Sequence, residues 1–415
     1  MPSALAARPA HKNEFFAPPL RSPPARRIRD DDEALAAAGQ VAAELAKHAV
    51  ERDRDRILPY EEMELVSDAG LLAITVPKAY GGAGVRAETV ARVIAALSRA
   101  DGSIGQIPQN HFFMLEGLRL EGSEEQKRFF YGRVLAGERL GNALSEMGTK
   151  TAFDHATRLS RDGSIYRLNG RKFYSTGVPF AHWVAVVAND DENVSRIAFV
   201  PRETDGITII DDWSGFGQRI TGSGTTVLKD VPVHPFSILS FAALFDRPTS
   251  MGPFAQIMHA AVEQGIAEAA LADTVAFVRT SARPWKDAGV ERASDDPYLV
   301  SAVGELKIRV DASGALLARS GTFVDRAQAE PSADTVAAAS VAVAEAKIAS
   351  TEAALLVASK LIELGGSSAT LARHGLDRHW RNARTHSVHD PVRWKYRAVG
   401  DYWLNGVNPP RHGAI

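Results

Sequence analysis

Three segments near the end of the chain constrain the fold most. Residues 255–281, 301–329 and 333–364 are long, Ala-rich and apolar at helical spacing. Few turn signals interrupt them, and strands seldom exceed about ten residues, so they predict long helices, the last two packed as in a bundle. Shorter helical patterns cover residues 33–53, 60–69, 87–99, 110–122 and 123–135. The first follows Asp30-Asp31-Asp32, where a helix N-terminus favours negative charge. Between the two helical regions the texture changes. Residues 183–188, 197–200, 206–210 and 225–228 are short apolar runs, and residues 166–174 read as a hairpin turning at Asn169-Gly170. Strands with no helices between them imply an antiparallel β-domain.

The order is therefore α, β, α. The expected divisions are a flexible or partner-hugging arm (1–27) broken by Pro18, Pro19, Pro23 and Pro24, a helical domain (28–140), a β-domain (141–250), a helical bundle (251–394) and a tail (395–415). The chain has 415 residues, with 48 Lys+Arg against 50 Asp+Glu, which gives no electrostatic footprint for nucleic acid. No apolar run approaches the ~18 residues of a membrane span, so no membrane partner is expected. The absence of cysteine excludes disulfides, thiolate metal sites, Fe–S clusters and a Cys nucleophile, and fits a reducing cytoplasm. Chemistry must come from His, carboxylates, hydroxyls or a bound cofactor.

Several motifs can be set aside. There is no P-loop, no H-E-x-x-H and no G-x-S-x-G elbow, and Gly215-Phe216-Gly217 lacks the third glycine of a dinucleotide fingerprint. His386 and His389 are three apart, with Asp390 adjacent, and could share a helical face as metal ligands. Isolated pairs of this kind are common, so a hydrogen-bonded structural pair is the preferred reading and no metal is expected.

Longer strings carry more information. Gln106-Ile107-Pro108-Gln109-Asn110-His111-Phe112-Phe113, residues 382–391 and residues 404–412 resemble the acyl-CoA dehydrogenase superfamily, in its flavin-dependent monooxygenase branch. Dibenzothiophene monooxygenases and bacterial sulfur-acquisition oxidoreductases belong to that branch, and the second group is the nearer likeness. The resemblance implies an α+β fold with an N-terminal helical domain, a middle antiparallel β-domain and a C-terminal four-helix bundle, assembled as a homotetramer whose tail wraps a neighbour.

The resemblance also implies a flavin site. Asn142 and Ser145, in Asn142-Ala143-Leu144-Ser145-Glu146, match the family's first flavin-facing segment, whose backbone and hydroxyl groups meet the polar edge of the ring. Tyr174 and Thr176, in Lys172-Phe173-Tyr174-Ser175-Thr176-Gly177, match the second, with the aromatic beside the ring and the hydroxyl near N5. Trp213 matches an aromatic beside flavin and substrate. Arg279 and Arg283 fall where a helix supplies a phosphate-binding arginine, Arg283 being the better match. Gly365-Gly366 matches a glycine pair that lets backbone approach the phosphate side. A further family arginine is replaced here by Ser367 or Ser368.

For chemistry the resemblance implies oxygen activation. The family's dehydrogenases use a glutamate base, whereas this chain has Ser387-Val388-His389-Asp390-Pro391 at that place. His389 is expected to donate a proton to, or stabilise, a C4a-(hydro)peroxyflavin, since imidazole titrates near neutrality. His386 lies nearby, His111 and Asn142 assist oxygen activation, and Thr176 shapes the N5 side. With no nicotinamide motif, the expected cofactor is FMN (FAD possible), reduced by a separate NAD(P)H:flavin reductase, with O₂ and a small organosulfur compound as co-substrates. Two alternatives stay open: an FAD dehydrogenase using Asp390 as base, and a catalytically silent flavin-binding scaffold.

Overall fold

The carboxylate of Asp30 caps the first helix. In the computed structural model, which describes residues 15, 17–151 and 153–415, it accepts from the Glu33 N–H at the start of α1 (Asp31–Ala46). The helix expected over residues 33–53 is broken in two. α2 (Ala49–Asp55) follows α1 and ends where Arg56 turns left-handed. α3 (Tyr60–Asp68), α4 (Ala87–Ala100), α5 (Pro108–Glu121) and α6 (Glu124–Leu135) complete the first helical layer. A Ser123–Gln126 capping box starts α6.

Residues 17–27 correct the expectation of a loose arm. The Arg133 guanidinium holds the carbonyls of Pro18 and Pro19, and Arg21 pairs with Glu64 and Asp68. Ala25 and Arg26 donate backbone N–H groups to Ala136 and Asp68. Phe15 packs among Phe129, Trp183 and Phe236. The rest of the expected arm, residues 1–14 and 16, lies outside the described residues.

The sheet is built from β1 (Leu140–Ala143), β2 (Arg158–Asp162), β3 (Ile165–Lys172), β4 (Trp183–Asp190), β5 (Ser195–Pro201), β6 (Ile207–Ile210), β7 (Thr225–Val233) and β8 (Ile238–Ser240). Its order is β6-β7-β3-β2-β4-β5-β8. Most pairings are antiparallel, but β1 and the start of β2 both run parallel to β4. Asn169-Gly170 is not the hairpin turn. β2 and β3 turn at Gly163, where φ is +62°, and Asn169-Gly170 forms a bulge inside β3. Asn169 bonds Asp230 across the bulge, and a Cβ on Gly170 would lie 2.3 Å from Thr157 Oγ1. Close packing, not turn chemistry, selects this glycine.

A short α7 (Ala243–Asp246) leads into α8 (Met251–Thr280), α9 (Pro297–Ala329) and α10 (Ala333–Gly365), the three long helices expected. Alanine and glycine let them approach closely. A Cβ on Gly265 would sit 2.3 Å from the Ala95 carbonyl, so α4 and α8 touch backbone to backbone there. α11 (Asp377–Ser387) and α12 (Val392–Asn405) close the bundle. The tail returns to its own chain: Gln256 holds the Gly413 carbonyl, Lys395 holds that of Ala414, and Ile415 is buried.

Gly170→Ala should destabilise the protein by about 1–3 kcal/mol through overpacking against Thr157. Urea unfolding followed by circular dichroism checks this, and an unchanged midpoint would contradict the packing role.

Candidate active site

The two segments singled out from the sequence run side by side. Asn142 N–H donates to the Thr176 carbonyl, and Phe173 N–H to that of Ser145. Beneath them the fully buried Lys172 ammonium donates to Glu146 at 2.6 Å and to the Leu144 carbonyl at 3.0 Å. Glu146 also accepts from the Thr157 hydroxyl and from the Ala156 and Thr157 N–H groups. Burial opposes the charge on both partners. It brings Lys172 down to about 8, whereas the hydrogen bonds to Glu146 outweigh it and hold that carboxyl at about 2.

Above this pair the polar groups form a chain. Asn142 Nδ2 reaches the Tyr174 carbonyl at 3.4 Å. The Thr176 hydroxyl bonds that of Ser223 at 2.7 Å, and Ser223 bonds that of Thr221 at 2.6 Å. Thr221 donates to the Gln218 carbonyl, which also accepts from the Trp213 indole at 2.8 Å. Tyr174 is 47% exposed and meets Trp213 edge-on at 6.0 Å between ring centres. Its φ of +56° is costly for a residue with a bulky side chain. Asn142, Tyr174, Thr176 and Trp213 thus share one network. Ser145 joins it through its backbone.

Gln218 is a central residue that the sequence reading missed. It is 2% exposed with φ +52°. Its N–H donates to Asn382 Oδ1 on α11 at 2.7 Å, and its side-chain amide donates to the Gly102 carbonyl beyond α4 at 2.9 Å. A signal was present in Gly215-Phe216-Gly217. A Cβ on Gly217 would lie 1.9 Å from the Arg381 carbonyl, so this glycine marks the contact with α11. Four buried polar atoms here have no partner among the described residues: Asn142 Oδ1, Ser175 Oγ, Gln218 Oε1 and Thr385 Oγ1.

One turn beyond Asn382, α11 carries the histidine cluster. His386 is buried, with Nδ1 against Glu263 Oε1 at 2.8 Å and Nε2 against His259 Nδ1 at 3.1 Å. Both of its nitrogens are thus engaged inside the protein. His111 is held in the same way. Its Nε2–H donates to the Leu72 carbonyl and its Nδ1 accepts from the Leu140 N–H, and burial lowers it to about 4. It is a neutral pin between α5, β1 and the chain after α3. His389 differs: its side chain is 46% exposed, and its Nδ1 faces Asp390 Oδ2 at 3.1 Å.

His259 and Glu263 were not anticipated, although they stand four apart on one predicted helix. Burial places His259 and His386 well below the usual histidine range and raises Glu263 to about 7. Burial also opposes ionisation of Asp390, but His389 outweighs it and holds the carboxyl well below its usual range.

The phosphate-side residues stand apart from these networks. α8 ends at Thr280, so Arg283 lies in the loop beyond the helix, exposed. Gly366 caps α10 with φ +69°, and a Cβ there would meet nothing within 4 Å, leaving open backbone. Gly365 packs on Phe277 of α8, so the Gly365-Gly366 end of α10 and the α8 end that precedes Arg283 adjoin. Ser367 and Ser368 follow in a single 3₁₀ turn.

Sheet and bundle thus close on exposed ring faces and partnerless polar atoms, an arrangement suited to a flat polar ring. Family models match both helical parts: "Acyl-CoA dehydrogenase, N-terminal domain" over residues 31–138 and "Acyl-CoA dehydrogenase, C-terminal domain" over residues 257–394. The chain is 34% identical to a dibenzothiophene monooxygenase of Rhodococcus qingshengii over 92% of its length and 96% of that protein. It is 30% identical to the "Probable FMNH2-dependent monooxygenase SfnC" of Pseudomonas putida, covering 91% and 96%. FMN-bound TdsC from Paenibacillus sp. A11-2 superposes with a TM-score of 0.88 at 29% identity, covering 92% and 100%. The chain belongs to the acyl-CoA dehydrogenase family.

Glu146→Gln should cost roughly 3 kcal/mol at pH 7 by leaving Lys172 buried without its counter-charge. Folding holds Glu146 below its ordinary value, so its contribution is complete above about 4.5 and is lost as pH falls toward about 2. Denaturant melts of parent and variant should converge over that range, and a gap independent of pH would refute the assignment.

Proposed function

We propose that this chain is the oxygenase half of a two-component flavin monooxygenase working in the cytoplasm. It takes reduced FMN from a separate NAD(P)H:flavin reductase and, with O₂, oxygenates a small organosulfur compound in sulfur acquisition. The observation that carries this reading is the joined pair of segments 142–146 and 172–177. Its partnerless Asn142 Oδ1 and Ser175 Oγ, with Gln218 Oε1 and Thr385 Oγ1 nearby, suit a ring that offers both N–H and C=O groups. Likeness to a dibenzothiophene monooxygenase, an FMNH2-dependent monooxygenase and FMN-bound TdsC supports the cofactor and the sulfur chemistry.

Reduced flavin, when bound, supplies the electron pair that splits O₂. Asn142, Ser145 and Thr176 hold the polar edge of the ring, and Tyr174 and Trp213 flank its faces. The Arg283 guanidinium grips the phosphate, with the Gly365-Gly366 backbone beside it. His389 holds the proton delivered to oxygen, and Asp390 keeps its ring oriented. His111 and His386 act only by fixing the elements around them. The dehydrogenase alternative is disfavoured because Asp390 is engaged with His389 and Gln256 and held far below neutrality, which makes it a weak base.

Anaerobic titration with reduced FMN and reduced FAD, then O₂ and a panel of organosulfur compounds, tests the reading. Oxygenated sulfur product and a preference for FMN are expected; H₂O₂ as the sole product would overturn it. His389→Ala should cut product formation by roughly 10²-fold and raise H₂O₂ release, with the melting temperature unchanged. Unaltered coupling would remove His389 from the chemistry. Arg283→Ala should weaken flavin binding about tenfold or more, read by fluorescence titration.

We also infer a homotetramer. Trp403 and Leu404 at the end of α12 are 70% and 84% exposed, apolar surface that a second copy would cover. Light scattering should show smaller species for Leu404→Glu.

A further inference from the structure

The short helix α2 closes at Arg56, whose φ of +53° is a backbone that glycine adopts freely and arginine only at a cost. The guanidinium gives a reason for keeping arginine there. Its Nη1 and Nη2 donate to the two carboxylate oxygens of Asp211 at 2.8 and 2.6 Å, and Nη2 also donates to the Trp213 carbonyl at 3.0 Å. A two-pronged pair of this kind keeps its worth near a surface, where single-contact ion pairs contribute little. We propose that Arg56 is a positioning residue for the Trp213 ring and thereby a determinant of which organosulfur compounds the pocket takes. The substrate half of this rests on the monooxygenase reading above.

The loop 211–218 transmits the grip. The Trp213 indole lies on Gly215, where a Cβ would come within 2.3 Å of the ring, and its N–H donates to the Gln218 carbonyl. The ring is thus fixed within its own loop, so whatever holds the loop holds the ring against Phe173 and Tyr174. Gln218 joins the far end of the loop to Asn382 and Gly102. Arg381 holds the Phe216 carbonyl at 3.1 Å and also donates to Asp53 of α2. Asp212 is tied to Thr225 on β7. Arg56 supplies the attachment of Asp211 and of the Trp213 backbone itself.

The anchor behind Arg56 lies inside the helical layer. One turn earlier on α2 the buried Arg52 donates to Asp101 and to Glu62, each at 3.2 Å. Asp101 directly precedes Gly102, whose carbonyl receives the Gln218 amide. Both ends of the loop are therefore referred to the same part of the N-terminal helices. The 211–213 stretch reaches that part through Arg56, and Gln218 through Gly102.

Arg56→Gly is the informative variant, because it removes the guanidinium and relieves the left-handed backbone, leaving the helix end intact. It is compared, as full-length protein, with the parent, Arg56→Lys and Asp211→Asn. Without flavin, hydrogen exchange followed by mass spectrometry should quicken about fivefold in peptides spanning 211–218 of Arg56→Gly and Asp211→Asn. The melting temperature of Arg56→Gly should stay at or above that of the parent. With reduced FMN and O₂, KM for aromatic organosulfur compounds should rise about fivefold while kcat, and KM for small aliphatic ones, stay unchanged. Arg56→Lys should restore neither readout, since an ammonium cannot form the fork. The double variant Arg56→Gly/Asp211→Asn should be no worse than either single one. Exchange unchanged in Arg56→Gly would overturn the positioning role, and faster exchange with unaltered KM would overturn the specificity role. A parent that yields no oxygenated product would overturn the monooxygenase reading and the specificity role with it, while the exchange result still decides the positioning role.

Discussion

One buried glutamine holds the architecture together at its functional end. Gln218 reaches the N-terminal helical layer through Gly102, α11 through Asn382, and its own loop through Trp213 and Thr221. Each bond satisfies a group that burial would otherwise leave expensive. Its left-handed backbone is what points the N–H and the side chain in different directions. Because three regions meet at one residue, the aromatic face at Trp213 and the histidines of α11 are positioned by a single junction.

The second constraint is the Lys172–Glu146 pair. Burying two charges is costly, and their attraction repays that cost only when geometry and additional hydrogen bonds are good. Here Glu146 accepts three further hydrogen bonds, from the Ala156 and Thr157 N–H groups and the Thr157 hydroxyl. The pair fixes the register of two segments that otherwise touch through only a few backbone bonds. It therefore determines where Asn142 and Thr176 stand relative to each other.

The histidines show how burial sorts one residue type into different uses. His111 and His386 have both ring nitrogens engaged inside the protein and act as neutral struts. His389 is half in solvent and paired with Asp390. His259 lies between these extremes, oriented on one side by His386 and open toward His389 on the other. The long helices, the order of α and β regions and the motif strings were legible because they depend on local periodicity and residue identity. The bulge at Asn169-Gly170 and the docking of residues 17–27 were not, because each is set by partners elsewhere in the chain: Thr157, Asp230, Glu64, Asp68 and Ala136.

By itself the sequence determined the long Ala-rich helices, the strand-rich middle, the exclusion of thiol chemistry and the strings that mark the family. Periodicity and composition act over a few residues, so they survive without knowledge of the fold. Tertiary structure alone decided that Gln218 joins three regions, that His259 and not His386 faces His389 and Asp390, and that the chain end returns to α8. Those outcomes depend on hydrogen-bond partners more than a hundred positions apart. No local pattern encodes such pairings, because their energies arise only when packing removes both partners from water.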